Sequence, residues 1–415
     1  MKLWNPNYRK VALGQVLSLF ANNILYFCLS LYVLDKTGSG VWFGSIMAVS
    51  LVPTLVLMPG GGVLSDRMNK RTLMLLLDVV ILGTLLLSTL WGELSLAVIA
   101  AILIVLSVVE AFYSPCVQAS VPLLQEPKHL TRANAIINNI TMAANILGPM
   151  AGGMLYGFWG LEPVLSLCVA SFFLSLLVKW FLKVPNVPQQ PSQENPFLTL
   201  FSDIWEAVRF LWKEKREILQ VMPSIVVLNL CITPFVTVGL PYLIRIPLGM
   251  DSQVYGVAVG FVSGAGVIGG LLATLVADRL DSKAIYRLLL VISASILPVG
   301  LFPWMRRSPW TYLVLVAAAL MIEQAVGSIF SVGYVSLIQA GTPQNFLGRV
   351  MALLITLSMV SEPVGRMVYG FLFEQFHSSI WPVVLVSFAI GILVTQKSRR
   401  ALQKLYDERQ VQPEE

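Results

Sequence analysis

The sequence predicts an all-α membrane protein, with twelve transmembrane helices in two pseudo-symmetric halves of six. Three observations lead to this fold class. The chain is 56% hydrophobic with a mean hydropathy of +0.77, well above the values of soluble domains. Its apolar residues fall into runs of about 20, the length that crosses a bilayer. A short charged segment, unusual in a chain with only 12% charged residues, occurs once in each half of the sequence.

The apolar runs give the predicted helices in order. The twelve runs are 11–34, 41–64, 72–91, 95–118, 134–158, 162–182, 218–244, 253–277, 285–304, 310–338, 348–372 and 378–396.

A long polar connection separates the sixth run from the seventh. It begins with a proline-rich stretch, which favours an extended linker. It continues with apolar residues spaced by three and four, which predict an amphipathic helix suited to an anionic membrane surface. The expected divisions are an N-terminal half, a linker with a surface helix, a C-terminal half and a cytoplasmic tail, at 1–184, 185–216, 217–397 and 398–415.

The distribution of basic residues predicts the orientation. Of the 28 Lys and Arg residues, 22 fall in segments on the side of the two termini, and four fall in the opposite loops. The remaining two, Lys179 and Arg366, lie inside apolar runs. Because cytoplasmic loops carry the excess of Lys and Arg, both termini are expected in the cytoplasm. The expected location is a bacterial inner membrane, crossed many times.

A charged hairpin joins the second and third predicted helices. Its charges cannot lie in hydrocarbon, so it is expected at the cytoplasmic interface, where Asn69 would take a left-handed turn conformation. One interpretation is that the charges only set topology. We favour a gating latch, because Asp contributes little to the positive-inside bias. The hairpin residues are Gly62, Asp66, Arg67, Lys70 and Arg71, and a weaker copy later in the chain contains Asp278 and Arg279.

Small residues mark the fifth and eighth helices. Glycines four residues apart let helix backbones approach closely. The two glycine faces are therefore expected to pack against each other, and ordinary small-residue packing is the alternative interpretation. The fifth helix contains Gly148, Pro149, Gly152 and Gly153, and the eighth contains Gly256, Gly260 and Gly264.

Acidic residues inside the apolar runs are the candidates for proton coupling and substrate binding. A charge at the bilayer centre costs about 2.5–3.5 kcal/mol on insertion scales, so such residues are usually functional. Both histidines lie in loops, so carboxylates would have to carry any transported proton. The candidates are Glu110, Glu323 and Glu362, with Arg366 close to the last, and Asp78 nearer the cytoplasm.

Each candidate has a structural alternative. Glu362 and Arg366 are four residues apart on one helix and would neutralise each other. Asp78 is expected to cap a helix or to bridge neighbours near the inner face. Glu110 and Glu323 have no evident partner in the sequence, which favours a functional role for both.

Polar and aromatic residues in the runs suggest a large amphipathic cavity for a bulky, partly apolar molecule. Some of the amides are expected to form interhelical hydrogen bonds instead, since buried amides need partners. The candidates are Asn22, Asn23, Tyr26, Phe112, Tyr113, Asn138, Asn139, Asn229, Gln324 and Tyr334.

These motifs resemble those of the major facilitator superfamily. The hairpin from Gly62 to Arg71 is similar to its cytoplasmic loop signature, with Asn69 where the pattern has Gly. The Gly148 to Gly153 stretch is similar to its fifth-helix motif, which is associated with antiporters. Three further stretches resemble the macrolide-efflux and bacilysin-exporter-like branch of drug:proton antiporters: Leu34-Asp35-Lys36-Thr37-Gly38-Ser39, Leu347-Gly348-Arg349-Val350 and Pro363-Val364-Gly365.

The resemblance implies alternating access, with a site between the halves near the midplane. It also implies that Asp66 pairs near the start of the eleventh helix, at Arg349. Many family antiporters carry an Arg in the fourth helix just before the level of Glu110. This chain has none there, so that role is not carried over, and Glu110 is expected to substitute.

The expected function is proton-coupled efflux of a lipophilic or cationic drug-like compound by a monomer. Its partners would be a small-molecule substrate, protons and membrane lipids, without nucleic acid, cofactor or metal. No phosphate-binding loop is present, which argues against an ATP-driven pump or an enzyme. The alternatives are uptake or translocation of a lysophospholipid or siderophore on the same fold, and a non-transporting receptor or scaffold.

Overall fold

A computed structural model of the chain describes residues 5–90, 94–185, 196–276, 280–305 and 308–411. The described residues are almost entirely helical. The helices are α1 (Pro6–Thr37), α2 (Gly40–Arg67), α3 (Lys70–Leu90), α4 (Leu96–Leu124), α5 (Leu130–Trp159), α6 (Leu161–Trp180), α7 (Pro196–Lys213), α8 (Arg216–Arg245), α9 (Ser252–Val276), α10 (Ser282–Met305), α11 (Pro309–Gly341), α12 (Gln344–Gln375) and α13 (Trp381–Val411).

Within the described ranges, eleven helices are long and apolar enough to cross a membrane, judged by length and composition. They match eleven of the twelve predicted runs. The twelfth is α5, whose 30 residues extend about 45 Å at 1.5 Å per residue. Its Asn138, Asn139 and Asn145 lower its hydropathy. The prediction of an all-α membrane protein with twelve long helices is therefore confirmed, and α7 lies where the amphipathic helix was predicted.

Local signals set the ends of the helices. The Asn5 side chain accepts a hydrogen bond from the Tyr8 backbone N–H at 2.8 Å and caps the start of α1. At the other end, Gly38 takes a φ of 62°, the left-handed conformation that glycine adopts without strain. The Asp281 side chain caps α10 by accepting from the Ala284 N–H at 2.6 Å.

Helix α8 is irregular in its middle. It passes through two π-helical turns, Leu228–Ile232 and Phe235–Gly239, on either side of Pro234. Proline lacks a backbone N–H and clashes with the preceding turn, so the helix widens around it. The irregular stretch packs against α12, where a Cβ on Gly365 would lie 2.7 Å from the Leu230 carbonyl oxygen. Only a glycine fits at that position.

The described residues form two compact units. The first consists of Met1–Gly38, Ile46–Leu198 and Asp251–Gly260, so it contains α1, most of α2, α3 to α6 and the start of α9. In this unit α1 packs mainly on α5 and α6, and α3 packs on α4 and α6. Its core consists of fully buried apolar side chains such as Leu25, Leu29 and Leu103.

The second unit consists of Ser39–Ser45, Thr199–Met250 and Phe261–Glu415. In this unit α13 packs on α8 and α10, and α10 packs on α11. Helix α13 continues beyond the apolar run as far as Val411, with Leu402 and Leu405 buried. An ion pair between Lys404 and Glu217 joins this extension to the start of α8.

Candidate functional site

The first unit contains a cavity of about 130 Å³ between α1, α3, α4, α5 and α6. A cavity of this size holds several waters or a small polar group. Its wall combines apolar side chains with amides and hydroxyls. The lining residues are Gln15, Ser18, Leu19, Asn22, Asp78, Ile81, Val109, Glu110, Tyr113, Ser114, Val117, Gln118, Ile137, Asn138, Thr141 and Phe172.

A buried ion pair lies beside this cavity. Lys179 Nζ is 2.7 Å from Asp78 Oδ2 and 3.0 Å from Oδ1, and both side chains are at most 1% exposed. Lys179 also donates to Ser18 Oγ at 2.9 Å, and its ammonium lies 4.4 Å from the centre of the Tyr113 ring. Ser175 donates to Asp78 Oδ2 at 3.0 Å. The Lys179 ammonium therefore donates to three oxygen atoms, and the positive and negative charges of the pair cancel.

The sequence patterns predicted no role for Lys179, although its position gives a signal. A lysine inside an apolar run requires a partner, and Asp78 was the acidic residue expected to bridge near the inner face. Gly14 on α1 makes room for the lysine stem, because a Cβ there would lie 2.7 Å from Lys179 Cε. The structure thus joins α1, α3 and α6 through one buried charge pair.

Glu110 contributes the uncompensated charge of the cavity. Among the described residues, Asp78 and Glu110 are the only charged ones in the cavity wall, and Lys179 neutralises Asp78. The Glu110 side chain is exposed at the wall, and within the described residues it has no hydrogen bond or ion pair. The cavity therefore carries one net negative charge when Glu110 is ionised, which suits a proton or a cationic ligand.

Three of the other predicted cavity residues, Asn22, Tyr113 and Asn138, line this cavity. The remaining ones do not. Asn23 donates to the Leu19 carbonyl at 2.9 Å, Tyr26 pairs with Ser50 Oγ at 3.1 Å, and Asn229 donates to the Ile225 carbonyl at 3.0 Å. The two amides thus bond within their own helices, and the Tyr26 hydroxyl joins α1 to α2. Phe112, Asn139, Gln324 and Tyr334 also lie outside the cavity wall.

The acidic residues of the second unit have different environments. Glu323 on α11 is 6% exposed, and its Oε2 has no hydrogen-bond partner among the described residues. Glu362 Oε1 instead accepts from Arg366 at 2.6 Å, one helical turn away on α12. Glu362 and Arg366 therefore neutralise each other, whereas no described residue donates a hydrogen bond to the buried Oε2 of Glu323.

The glycines of α5 divide into two faces. A Cβ on Gly153 would lie 2.6 Å from the Gly256 Cα on α9, which confirms the predicted close packing at this position. Gly148 and Gly152 do not take part in it. They face α1, where Cβ atoms on them would lie 2.6 Å from Asn23 Cβ and 3.1 Å from Phe27 Cδ1. The prediction of one continuous glycine face was wrong for these two residues.

Pro149 lies on the same side of α5 as Gly153, and its carbonyl oxygen would be 3.1 Å from a Cβ on Gly256. Gly260 packs against the Met150 side chain, so the close approach extends for one turn along α9. The stacked rings of Phe27 and Tyr255, with centroids 4.8 Å apart, support it from α1.

The charged hairpin is a tight turn between α2 and α3. Asn69 does not take the expected left-handed conformation, because its side chain caps α3 by accepting from the Arg71 N–H at 3.0 Å. Arg71 donates to the Trp180 carbonyl at 2.5 Å, and Lys70 is buried. Gly62, Asp66 and Arg67 continue α2, but their side-chain surroundings lie outside the described part of the structure, as do Asp278 and Arg279 altogether.

Arg349, the expected partner region of Asp66, forms an ion pair with Glu206 of α7 at 3.2 Å. Its guanidinium also lies 5.5 Å from the centre of the Phe346 ring. Arg349 thus connects the first turns of α12 to the amphipathic helix. A contact of Asp66 with Arg349 stays a prediction.

Comparisons with known proteins agree with this fold. The chain is 22% identical over 415 residues to macrolide efflux protein A of Streptococcus pyogenes, covering 97% of this chain and 98% of that protein. It is 26% identical over 376 residues to the enterobactin exporter EntS of Salmonella choleraesuis, covering 88% and 85% of the two proteins.

Solved structures show the same fold at low sequence identity. The nucleoside transporter NupG superposes with a TM-score of 0.75 at 13% identity, covering 97% of this chain and 99% of that one. A bacterial homologue of the iron transporter ferroportin, in an inward-facing state, gives a TM-score of 0.71 at 15% identity, with 95% and 98% covered. Residues 11–365 match the family model of the Major Facilitator Superfamily, and the chain is therefore a member of that family of membrane transporters.

Proposed function

We propose that this transporter exports a lipophilic, cationic compound in exchange for protons, by alternating access. One observation carries the proposal: Glu110 places an uncompensated negative charge in a cavity that is otherwise amphipathic. A carboxylate in such an environment binds either a proton or a cationic group, because one negative charge neutralises one positive charge. Competition between the two provides the exchange.

The cavity wall supports this choice of cargo. Leu19, Val117 and Phe172 offer apolar contact area, and Asn138 offers an amide for a hydrogen bond. The cavity is smaller than a drug-sized molecule, whose binding sites usually occupy about 300–1,000 Å³. It would therefore hold the cationic group of the cargo, while the rest of the molecule extends beyond the cavity.

Export is the direction that the relatives support. Both named relatives, a macrolide efflux protein and an enterobactin exporter, move their compounds outward according to their names. The positive-inside distribution would place both termini in the cytoplasm of a bacterial inner membrane. In this cycle the cargo binds Glu110 from the cytoplasmic side, and a proton replaces it when the site faces outward.

Glu323 is the second proposed proton site, because it is a buried carboxyl group without a described partner. The Glu362–Arg366 pair is assigned a structural role, since the two charges neutralise each other. Asp66 and the rest of the charged hairpin are proposed to latch one state of the gate. The proposed working unit is a monomer.

Proteoliposomes with an imposed pH gradient test the proposal. Ethidium, a macrolide and a catecholate siderophore serve as three probes of different charge and size. We expect the gradient to drive ethidium transport, and we expect Glu110→Gln to abolish that coupling. Glu214→Gln, which removes an exposed carboxylate after α7, serves as the matched control.

Two results would contradict the proposal. The first is gradient-driven ethidium transport in Glu110→Gln at the wild-type rate, which would remove Glu110 from the coupling. The second is transport of the siderophore but not of ethidium, which would favour siderophore export, the function that the name of the enterobactin exporter relatives indicates. Lysophospholipid movement under the same gradient would likewise replace a drug-like cation as the cargo.

A further inference from the structure

Helix α7 is fixed to the start of α12 along one face. Phe210 stacks on Phe346 with ring centroids 4.1 Å apart and planes inclined by 7°. The ion pair between Glu206 and Arg349 adds a second connection. Leu211 is fully buried on the same face. These contacts fix the orientation of α7, and therefore also the direction in which its opposite face points.

The opposite face presents large aromatic and basic side chains. Trp205 is 71% exposed and Trp212 is 62% exposed, and Arg209 lies between them and is also exposed. Spacings of four and three residues place these three side chains on one side of a helix. The Arg216 guanidinium lies 5.2 Å from the centre of the Trp212 ring. We call these four residues the tryptophan–arginine stripe.

The position of the stripe along the chain determines what it meets. Arg216 is the first residue of the candidate membrane span Arg216–Arg245, so the stripe ends where this candidate span begins. Tryptophan is enriched at the boundary between hydrocarbon and headgroups, where its ring is partly apolar and its N–H stays hydrated. Arginine binds phosphate groups through parallel hydrogen bonds. Both residue types fit the same boundary.

The charge of the stripe selects among lipids. Arg209, Lys213 and Arg216 are exposed and positive. Of the nearby acidic residues, Glu206 pairs with Arg349 and Glu217 pairs with Lys404, so the exposed Glu214 still leaves an excess of positive charge. Such a group attracts phospholipids that carry a net negative charge more strongly than zwitterionic ones. A water-facing helix would gain nothing from exposing two tryptophans, since exposed apolar patches usually mark a contact surface.

We propose that the tryptophan–arginine stripe docks onto anionic phospholipid headgroups, with Trp205 and Trp212 inserted at the interface and the arginines bound to phosphates. Through the Phe210–Phe346 stack, this contact holds the first turns of α12 at the membrane surface. The inference does not depend on the cargo or on proton coupling, and it is tested without a transport assay.

Tryptophan quenching in nanodiscs tests the insertion. The full-length protein is placed in discs of phosphatidylglycerol and phosphatidylcholine with bromine atoms on the acyl chains of one lipid only. The contribution of the two tryptophans is the difference between the wild type and Trp205→Phe/Trp212→Phe. We expect this difference emission to be strongly quenched, and to be quenched more by brominated phosphatidylglycerol than by brominated phosphatidylcholine at equal lipid composition.

Arginine substitutions test the selectivity. Arg209→Gln/Arg216→Gln should reduce the preference for the anionic lipid severalfold, by at most about 30-fold, while quenching itself persists. Arg400→Gln, an exposed arginine on α13, is the matched control and should leave the preference unchanged. Unquenched difference emission would overturn the proposal and indicate a face covered by water or by another protein. Equal quenching by both brominated lipids in the wild type would also overturn it.

Discussion

Removing either member of the Asp78–Lys179 pair should destabilise the protein strongly. Lys179→Met leaves the Asp78 carboxylate fully buried, with only the Ser18 and Ser175 hydroxyls as hydrogen-bond donors. Asp78→Leu leaves a buried ammonium next to one serine and the Tyr113 ring. Breaking a buried ion pair in this way typically costs about 3–5 kcal/mol, because one charge remains without compensation.

The double variant Asp78→Leu/Lys179→Met should be no less stable than either single variant. It removes both charges together, and apolar replacements of a buried pair are often neutral or stabilising. The two single effects are therefore expected to be strongly non-additive, as is usual for residues in direct contact. Ser175→Ala is the matched control, since it removes one hydrogen bond to the carboxylate and should cost about 1.5–3 kcal/mol.

Thermal unfolding of the purified protein in nanodiscs, at one fixed heating rate, measures these effects. A fixed rate is needed because unfolding of such proteins is often irreversible. For a cooperative unit of about 150–250 residues, 3–5 kcal/mol lowers the midpoint by roughly 6–20 °C. Single variants that unfold at the wild-type temperature would refute the reasoning. Additive single effects would refute it as well, since they would mean that the two charges do not depend on each other.

Three further outcomes are expected. Gly153→Val should prevent the close approach of α5 to Gly256 and abolish transport, whereas Gly153→Ala should reduce transport less. Equal transport by the wild type and Gly153→Val would contradict the packing described. Glu374→Gln should loosen the start of α2, because its carboxylate accepts from the Val41 N–H at 2.9 Å, and amide hydrogen exchange in the first turn of α2 should rise. Glu323→Gln should abolish gradient-driven transport. It should leave the thermal midpoint at or above the wild-type value, because burying a neutral amide costs less free energy than burying an uncompensated carboxylate. A variant that still couples transport to the gradient normally would remove Glu323 from the mechanism.

The helices could be predicted from the sequence because hydrocarbon imposes a length and a polarity on each span. The Glu362–Arg366 pair could also be anticipated, since residues four apart on a helix are neighbours. Gly148 and Gly152 share one side of α5 for the same reason, and Gly153 is turned about 100° from Gly152. A helical projection therefore separates the face of Gly148 and Gly152 from the face of Gly153. The prediction of one continuous face took the three glycines as a single motif and did not include this rotation.

The rest of the site depends on contacts that are distant in sequence. The partner of Asp78 lies on α6, about 100 residues away, and no local spacing indicates which helices meet there. Asn23 and Asn229 were expected to face a cavity, but each bonds to a carbonyl of its own helix one turn earlier. An amide has that choice at every position, so its direction depends on packing that the sequence pattern does not contain.

Gly14 and Lys179 have a consequence for how sequences of this family can change. The lysine stem fills the space over Gly14, so a larger residue at position 14 would displace this stem or require a shorter side chain at position 179. A shorter side chain there removes the ammonium, and the Asp78 carboxylate would then be buried without a compensating charge, which destabilises the protein. Positions 14, 78 and 179 should therefore be exchanged as a set during evolution. An alignment of relatives in which these positions vary independently would contradict this expectation.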